Sequence, residues 1–223
     1  MNSKNVLNDY LLSQSNELKN NVVNRKSYLG ISYPKLRLIS KEIIKNDWEE
    51  FLISNDFSIY ELEILQTYVI GSIKKLDQAI FYFDKMVYHA KEWSVVDSLC
   101  QKFMIAKKHP HEVLELLENY SKVNDEYIQR VVSVMLLSHY NNDKYIDYSI
   151  ELIKTLNHPG YFNKMGISWA LATFMIKYPD KVLTYIKSNE CNVWIRNKTI
   201  QKAIESYRIS EDLKLNLREM RSK

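Results

Sequence analysis

The chain has 223 residues, among them only four glycines, four prolines and two cysteines. So few turn-forming residues exclude an all-β fold, and a hydrophobic fraction of 46% with 26% charged residues excludes a disordered chain. A net charge of +4 and a pI near 8.8 permit a polyanionic partner without requiring one.

Three features of the sequence bear on the location of the protein. The amino terminus, Met-Asn-Ser-Lys, lacks the apolar stretch of a signal peptide. No apolar run approaches the ~18 residues that a membrane-spanning helix needs. Cys100 and Cys191 both fall within helical patterns, which predicts reduced, buried thiols. We therefore expect a cytoplasmic protein that does not bind a membrane.

Helical periodicity begins at the amino terminus, where apolar residues predict a helix over residues 3–23. Pro34 suits the first turn of the next helix, which extends to about residue 46, and Ser32 is its predicted N-cap. Asp47 is predicted to cap a short helix that follows.

The same pattern continues to the carboxy terminus. Ser58 and Glu61 have the spacing of a capping box, at the start of a helix that ends near Gly71. Short connections then separate further predicted helices, at about residues 75–90, 93–108, 110–120, 125–140, 143–156, 161–178, 180–188, 192–208 and 211–220. No strand-like alternation of useful length interrupts them.

The predicted fold is therefore all-α, with roughly a dozen helices. Helix pairs recur at a spacing of about 35–40 residues, which is typical of HEAT-like solenoids. We predict one HEAT-like α-solenoid domain over residues 1–223. An irregular all-α globule is the alternative.

Trp93 and Asp97 are the starting point for a functional interpretation. They are four residues apart in a predicted helix and so lie on one face. Asp97 falls at the margin of that helix's apolar stripe. A single Trp-x-x-x-Asp is common, but Arg130 follows Asp97 by 33 residues and Trp169 follows Arg130 by 39. Such offsets return to equivalent positions in successive repeats.

Arg130 and Trp169 each have two interpretations. Arg130 points away from the apolar stripe of its helix, as either a solvated arginine or a groove arginine whose donors suit phosphate. Trp169 lies in a helix that is apolar nearly all round, so it either packs between repeats or lines a groove. Basic residues at predicted inner positions would follow a phosphate backbone or form a solvated face: Lys102, Lys107, Lys108, Lys164, Arg196, Lys198 and Lys202.

Other catalytic patterns are missing from the sequence. The five histidines have no HExxH spacing, and two distant cysteines do not form a zinc motif. No phosphate-binding loop, dinucleotide fingerprint or nucleophile elbow occurs. We predict no metal ion and no cofactor.

Several segments together resemble the AlkD-type DNA alkylation repair proteins, which are HEAT-like alkylpurine DNA glycosylases. They occur in the family's order and spacing over most of the chain: Tyr28-Leu29-Gly30-Ile31-Ser32-Tyr33-Pro34-Lys35-Leu36-Arg37, Trp93-Ser94-Val95-Val96-Asp97-Ser98, Gln129-Arg130-Val131-Val132, Lys164-Met165-Gly166-Ile167-Ser168-Trp169-Ala170-Leu171 and Val193-Trp194-Ile195-Arg196-Asn197-Lys198.

The resemblance implies a C-shaped monomer that holds duplex DNA in a concave basic cleft, in a bacterial-type cytoplasm and on the nucleoid. It implies excision of cationic N3- and N7-alkylated purines. Trp93 and Trp169 would flank the deoxyribose of the lesion, Asp97 would be the catalytic carboxylate, and Arg130 would hold a phosphate. Lys164, Arg196 and Lys198 are the further predicted DNA contacts.

The sequence differs from the family pattern at Ser94, Ala172 and Thr173, where the family often has an acid, an arginine and an acid. An aromatic residue that clamps DNA near the amino terminus is not clearly placed either. Two alternatives therefore accompany the glycosylase prediction. One is a relative that binds damaged or branched DNA without excising bases. The other is an α-solenoid scaffold that binds a protein partner.

Overall fold

The computed structural model describes residues 28–54 and 57–221, and the helix predicted over residues 3–23 lies outside these ranges. The described residues form α-helices and one 3-10 helix, and no β-strand, which confirms the all-α prediction. The α-helices are α1 (Tyr33–Lys45), α2 (Trp48–Ile53), α3 (Tyr60–Ile70), α4 (Leu76–His89), α5 (Trp93–Lys102), α6 (Pro110–Ser121), α7 (Glu126–His139), α8 (Ile146–Lys154), α9 (Tyr161–Phe174), α10 (Pro179–Lys187), α11 (Val193–Glu205) and α12 (Glu211–Met220).

The helix predicted over residues 93–108 is the main difference in helix boundaries. It ends at Lys102, and a 3-10 helix follows at Met104–Lys107. The break lets Phe103 turn inward, where its ring centroid lies 4.1 Å from that of Phe83 and the side chain is fully buried. Burial of this large aromatic side chain contributes to the stability of the first core.

The described chain forms two compact units, the first running through Ala90 and including Lys102–Ile105. Within it, α1 packs on α3, α2 contacts both, and α4 packs on α3. Leu36 and Ile39 of α1 and Leu65 of α3 are buried in this core.

Glu61 has a different role from the predicted one. Helix α3 begins at Tyr60 with Ile59 as its N-cap, so Ser58 and Glu61 do not form a capping box. The Glu61 carboxylate is fully buried and accepts hydrogen bonds from the backbone N–H groups of Leu29 and Gly30, both at 2.8–2.9 Å through Oε1. Gly30 has φ 73°, a left-handed conformation that favours glycine and turns successive N–H groups toward one anion.

The second unit comprises Lys91–Gln101 and the chain from Ala106 onward. Its central helix is α9, which packs against α7 on one side and α11 on the other. Helices α6 and α8 pack on α7, and α10 packs on α8 and α9. Helices α7, α9 and α11 begin at Glu126, Tyr161 and Val193, close to the predicted repeat spacing. This packing confirms the helical-repeat solenoid.

Two further sequence predictions concern the whole chain. Both cysteines are buried and free, as predicted. Within residues 28–54 and 57–221, every helix is too short or too polar to cross a membrane.

Candidate active site

Helix α5 presents Trp93 and Asp97 in very different environments. Trp93 opens the helix with its side chain 48% exposed. Asp97, one turn later on the same face, is only 8% exposed. The helix begins where the Glu92 carbonyl accepts hydrogen bonds from the N–H groups of Val95 and Val96, each at 3.1 Å. Helix α5 therefore carries an exposed indole and a buried carboxylate one turn apart on the same face.

Asp97 is held by Arg130 of α7 through two parallel hydrogen bonds. Arg130 Nε donates to Asp97 Oδ1 at 2.9 Å, and Arg130 Nη2 donates to Oδ2 at 2.8 Å. Arg130 Nη1 donates to the Phe162 carbonyl at 2.8 Å. Arg130 is only 5% exposed, so the interpretation of it as a solvated surface arginine is wrong. Residues 128–136 of α7 are all buried, so the face opposite its apolar stripe is buried too.

The ion pair determines the electrostatics of the carboxylate. Burial raises the pKa of Asp97 above its ordinary value, and the hydrogen bonds and charge of Arg130 oppose that shift. A carboxylate has about four lone-pair positions, of which Arg130 occupies two. Asp97 thus remains able to accept a proton or to face a developing positive charge.

The first turn of α9 completes the support of Arg130. Two side chains of α7 bind the backbone of Phe162: the Glu126 carboxylate accepts a hydrogen bond from its N–H, and Arg130 donates one to its carbonyl. Gln129 anchors the segment before α9: its side-chain oxygen accepts from the His158 N–H at 2.8 Å. This role of Gln129 was not predictable from the sequence, because no local pattern distinguishes a buried glutamine from an exposed one.

Gly166 explains how α9 approaches α7 so closely. A Cβ at this position would lie 2.5 Å from Ser133 Oγ and 3.3 Å from Arg130 Cγ. Ser133 cannot easily move, since its hydroxyl donates to the Arg130 carbonyl at 3.0 Å and its side chain is fully buried.

Replacing Gly166 by alanine should therefore lower the free energy of unfolding. Overpacking costs about 1–3 kcal/mol, and the better helix propensity of alanine offsets up to ~1 kcal/mol of it. Urea denaturation of the wild type and Gly166→Ala measures the loss. The added substitution Ser133→Ala removes the clashing hydroxyl and should restore part of the stability. A variant as stable as the wild type would contradict the close approach.

Trp169 lies on α9, seven residues after Phe162 and so about 10 Å along the helix axis on nearly the same face. Its side chain is half-buried. Among the described residues, no hydrogen bond or cation–π contact joins it to Asp97 or Arg130. Both tryptophans thus lie on helices that contribute to the ion-pair contacts. Trp93 lies four residues before Asp97 on α5, and Trp169 lies seven residues after Phe162, whose carbonyl accepts from Arg130.

Trp194 of α11 is the centre of a cationic cluster that sequence analysis named only as part of a motif. Lys164 Nζ lies 5.0 Å and Lys198 Nζ 5.7 Å from its ring centroid. The Tyr161 ring meets the indole edge-on, with centroids 5.9 Å apart. Trp194 and Lys198 are four residues apart on one helix, a spacing that could have indicated the contact. The two predicted DNA-binding lysines are thus brought together from α9 and α11.

The two remaining basic residues of α11, Lys202 and Arg196, lie on different faces of the helix. Lys202 is half-buried, and its pKa is lowered by burial and by the charges of Lys198 and Arg130. The charge of Glu205 opposes this shift. Arg196 lies two residues before Lys198, on another face, and its charge acts on Cys191. The structure does not bring Arg196 into the cluster, and its predicted DNA contact stays a prediction.

In the parts of the chain that the structure describes, no group of three or more histidine, cysteine, aspartate or glutamate side chains is arranged to hold a metal ion.

The described helices form a helical-repeat protein that carries a buried carboxylate–guanidinium pair and a cluster of two lysines around Trp194. The family model of the DNA alkylation repair enzymes matches residues 12–206. The chain therefore belongs to the DNA alkylation repair enzyme family, and the resemblance found in the sequence is confirmed. A comparison with curated proteins finds no match to the chain.

Proposed function

We propose that the protein is a DNA glycosylase that hydrolyses the N-glycosidic bond of cationic N3- and N7-alkylated purines in duplex DNA. Membership of a DNA alkylation repair family supports the repair role. The observation that carries the finer proposal is Asp97, which is held by Arg130 one turn from the exposed Trp93.

This hydrolysis needs electrostatic stabilisation of positive charge more than it needs a strong general acid. The purine is already cationic, so the electron pair of the breaking bond neutralises it, and it leaves without being protonated. Positive charge then develops on the deoxyribose, at C1′ and the ring oxygen. A preorganised carboxylate stabilises that charge. The free lone pairs of Asp97 can also accept a proton from the water whose oxygen forms the new bond to C1′.

The aromatic and basic side chains supply binding. Indole faces attract cationic and sugar surfaces, which is the role proposed for Trp93 and Trp169 on either side of the deoxyribose. With residues in 28–54 and 57–221, Arg130 uses three of its five N–H donors. Two donors remain for a phosphate while the ion pair stays intact.

Lys164 and Lys198 are proposed to contact phosphates. Each such contact adds about −0.9 to the slope of log K against log salt for duplex DNA. Lys164→Ala and Lys198→Ala should each make the slope shallower by about that amount and weaken damaged and undamaged duplexes alike. Binding titrations at several salt concentrations measure it. Lys187→Ala, an exposed lysine on α10, is the matched control and should leave the slope unchanged. Unchanged slopes in the first two variants would contradict the phosphate contacts.

The test of the proposed function is incubation with a duplex that contains N7-methylguanine, followed by assay for free base. EDTA is included because we propose that the reaction needs no metal ion and no cofactor. We also propose that the protein is a monomer and acts in the cytoplasm. Base release above the spontaneous rate supports the glycosylase. Tight, salt-sensitive binding without release would favour a DNA binder instead, and absence of duplex binding would favour a protein-binding scaffold.

A further inference from the structure

The first compact unit contains a cavity that none of the candidate active-site residues lines. Its volume is about 480 Å3, within the range of small-molecule sites. Tyr68 of α3 forms one wall, and the other lining residues come from the start of α1: Tyr33, Pro34, Arg37, Leu38 and Lys41. Positions 34, 37, 38 and 41 have the spacing of one helix face, so a single helix surface forms most of the cavity.

The aromatic side of the cavity is held in place. Tyr33 is 49% exposed, yet its hydroxyl lies 2.7 Å from the Tyr60 hydroxyl in a hydrogen bond. The Tyr60 ring is in turn 5.9 Å from the Tyr28 ring, centroid to centroid. Tethering at the hydroxyl limits the motion of the Tyr33 ring, while much of the ring remains open to solvent. A fixed and exposed ring is ready to stack with a planar group at low entropic cost.

The charged side of the cavity is entirely cationic. Arg37 and Lys41 are exposed, and neither side chain forms a hydrogen bond or ion pair with any residue in 28–54 or 57–221. The lining contains no acidic residue. Lys102 adds a third cation near this wall, with Nζ 5.1 Å from the Tyr68 ring centroid. Unpaired cations beside an exposed ring complement a ligand that combines a planar group with an anion.

We propose that this cavity binds one nucleotide of an unpaired DNA strand, with the base stacked on Tyr33 and the adjoining phosphate on Arg37 and Lys41. Stacking on aromatic rings together with cationic contacts to the backbone is the general way in which proteins hold single strands. In duplex DNA the faces of the bases are covered by their neighbours, so the Tyr33 ring favours an unstacked base. The site uses no residue of the second unit and requires no alkylated base, so it extends beyond the proposed glycosylase.

The test uses fluorescently labelled hexathymidylate and a hexamer of abasic residues with the same phosphates, measured by anisotropy at several salt concentrations. Tyr33→Ala should weaken binding of hexathymidylate at least about fivefold and leave the abasic hexamer nearly unchanged, since only the first loses stacking. Arg37→Ala and Lys41→Ala should weaken both and lower the salt slope by about 0.7 each, the value for single strands.

Matched controls separate the cavity from general surface effects. Tyr207, which is 92% exposed, and its neighbour Arg208 form an exposed tyrosine–arginine pair near the carboxy terminus. Their alanine variants should bind both hexamers like the wild type. Tyr33→Phe keeps the ring but loses its tether to Tyr60, so its affinity for hexathymidylate should lie between those of the wild type and Tyr33→Ala. Tyr33→Leu removes the ring but keeps an apolar side chain, and it tests stacking if Tyr33→Ala does not fold.

Three results would overturn the proposal. Equal losses for both hexamers in Tyr33→Ala would mean that no base is stacked. Equal competition by hexaglutamate would mean that the cavity binds acidic chains by charge alone and does not recognise a nucleotide. Unchanged affinity in all three cavity variants, with a lowered Tm, would mean that these side chains pack against the rest of the chain. The oligomers carry no alkylated base, so none of these results depends on glycosylase activity.

Discussion

Replacing Asp97 by asparagine is expected to slow single-turnover base release from N7-methylguanine DNA by roughly 10²–10³-fold, or about 2.7–4 kcal/mol, by analogy with the loss of one preorganised stabilising group. The substitution keeps the shape of the side chain and removes its charge. Duplex affinity should not fall, because an anion leaves the proposed DNA-binding site. Lesions that depurinate fastest without enzyme should show the smallest relative loss, since they need the least stabilisation.

The pH dependence provides a second readout of the same group. Burial raises the pKa of Asp97, so its ionised fraction falls at a higher pH than that of an ordinary aspartate. Wild-type base release should therefore decline as the pH falls through this raised pKa, and Asp97→Asn should lack that decline. Base release at the wild-type rate by the folded variant would remove Asp97 from the mechanism.

Asp147→Asn is the matched control for loss of an aspartate charge. Asp147 pairs with Lys181 across α8 and α10, but its side chain is 73% exposed. Base release and stability should both remain near the wild-type values, because exposed ion pairs contribute about 0–1 kcal/mol.

Replacing Arg130 by alanine is expected to lower the free energy of unfolding by about 3–5 kcal/mol, the cost of leaving one member of a buried ion pair without its partner. Asp97 would lose both hydrogen bonds, and the Phe162 carbonyl would lose its donor. Urea denaturation at neutral pH measures the loss. Lys181→Ala breaks the exposed pair with Asp147 and should cost less than about 1 kcal/mol.

The pH dependence of this loss has a definite sign. Without Arg130, only the effect of burial remains, which raises the pKa of Asp97. A carboxyl group whose pKa is raised on folding stabilises the fold when protonated, and that contribution disappears as the pH rises through the folded-state pKa. The cost of Arg130→Ala should therefore be larger at pH 8 than at pH 5. The double variant Asp97→Leu with Arg130→Met should recover much of the stability.

An Arg130→Ala variant that loses less than about 1 kcal/mol would show that the pair is solvated in solution. The sequence alone predicts that Asp97→Asn leaves folding almost unaffected, because Asp97 lies at the margin of an apolar stripe. The burial of both partners changes that expectation: an asparagine leaves the guanidinium charge without a full counter-charge. Stability and base release must therefore be measured on the same preparations.

Helix positions were predictable because periodicity is a local property. Helices α6, α7 and α12 begin and end within one or two residues of their predicted bounds. The prediction was wrong at Lys102 and at Ser58, and the helices predicted to end near residues 178 and 208 end at Phe174 and Glu205. Ser58 and Glu61 satisfy a local capping pattern, but Glu61 is buried beneath the backbone N–H groups before α1. Satisfying those donors is a long-range requirement that no local pattern contains.

The candidate site was predictable as a set of residues but not as an arrangement. The Trp93–Asp97 spacing and the offsets to Arg130 and Trp169 identified them from periodicity and family resemblance. That Arg130 binds Asp97 across 33 residues depends on how α5 and α7 pack. That Lys164 and Lys198 meet at Trp194 depends likewise on the packing of α9 and α11.

The sequence by itself determined an all-α repeat protein and its DNA alkylation repair family, because helical periodicity and motif order are properties of the linear sequence. Only the tertiary structure decided which charges are paired and which are free. Burial makes an unpaired charge costly, so Asp97 and Arg130 are joined in the second unit. Solvent screens exposed charges, so Arg37 and Lys41 remain without partners among the described residues, beside an exposed ring.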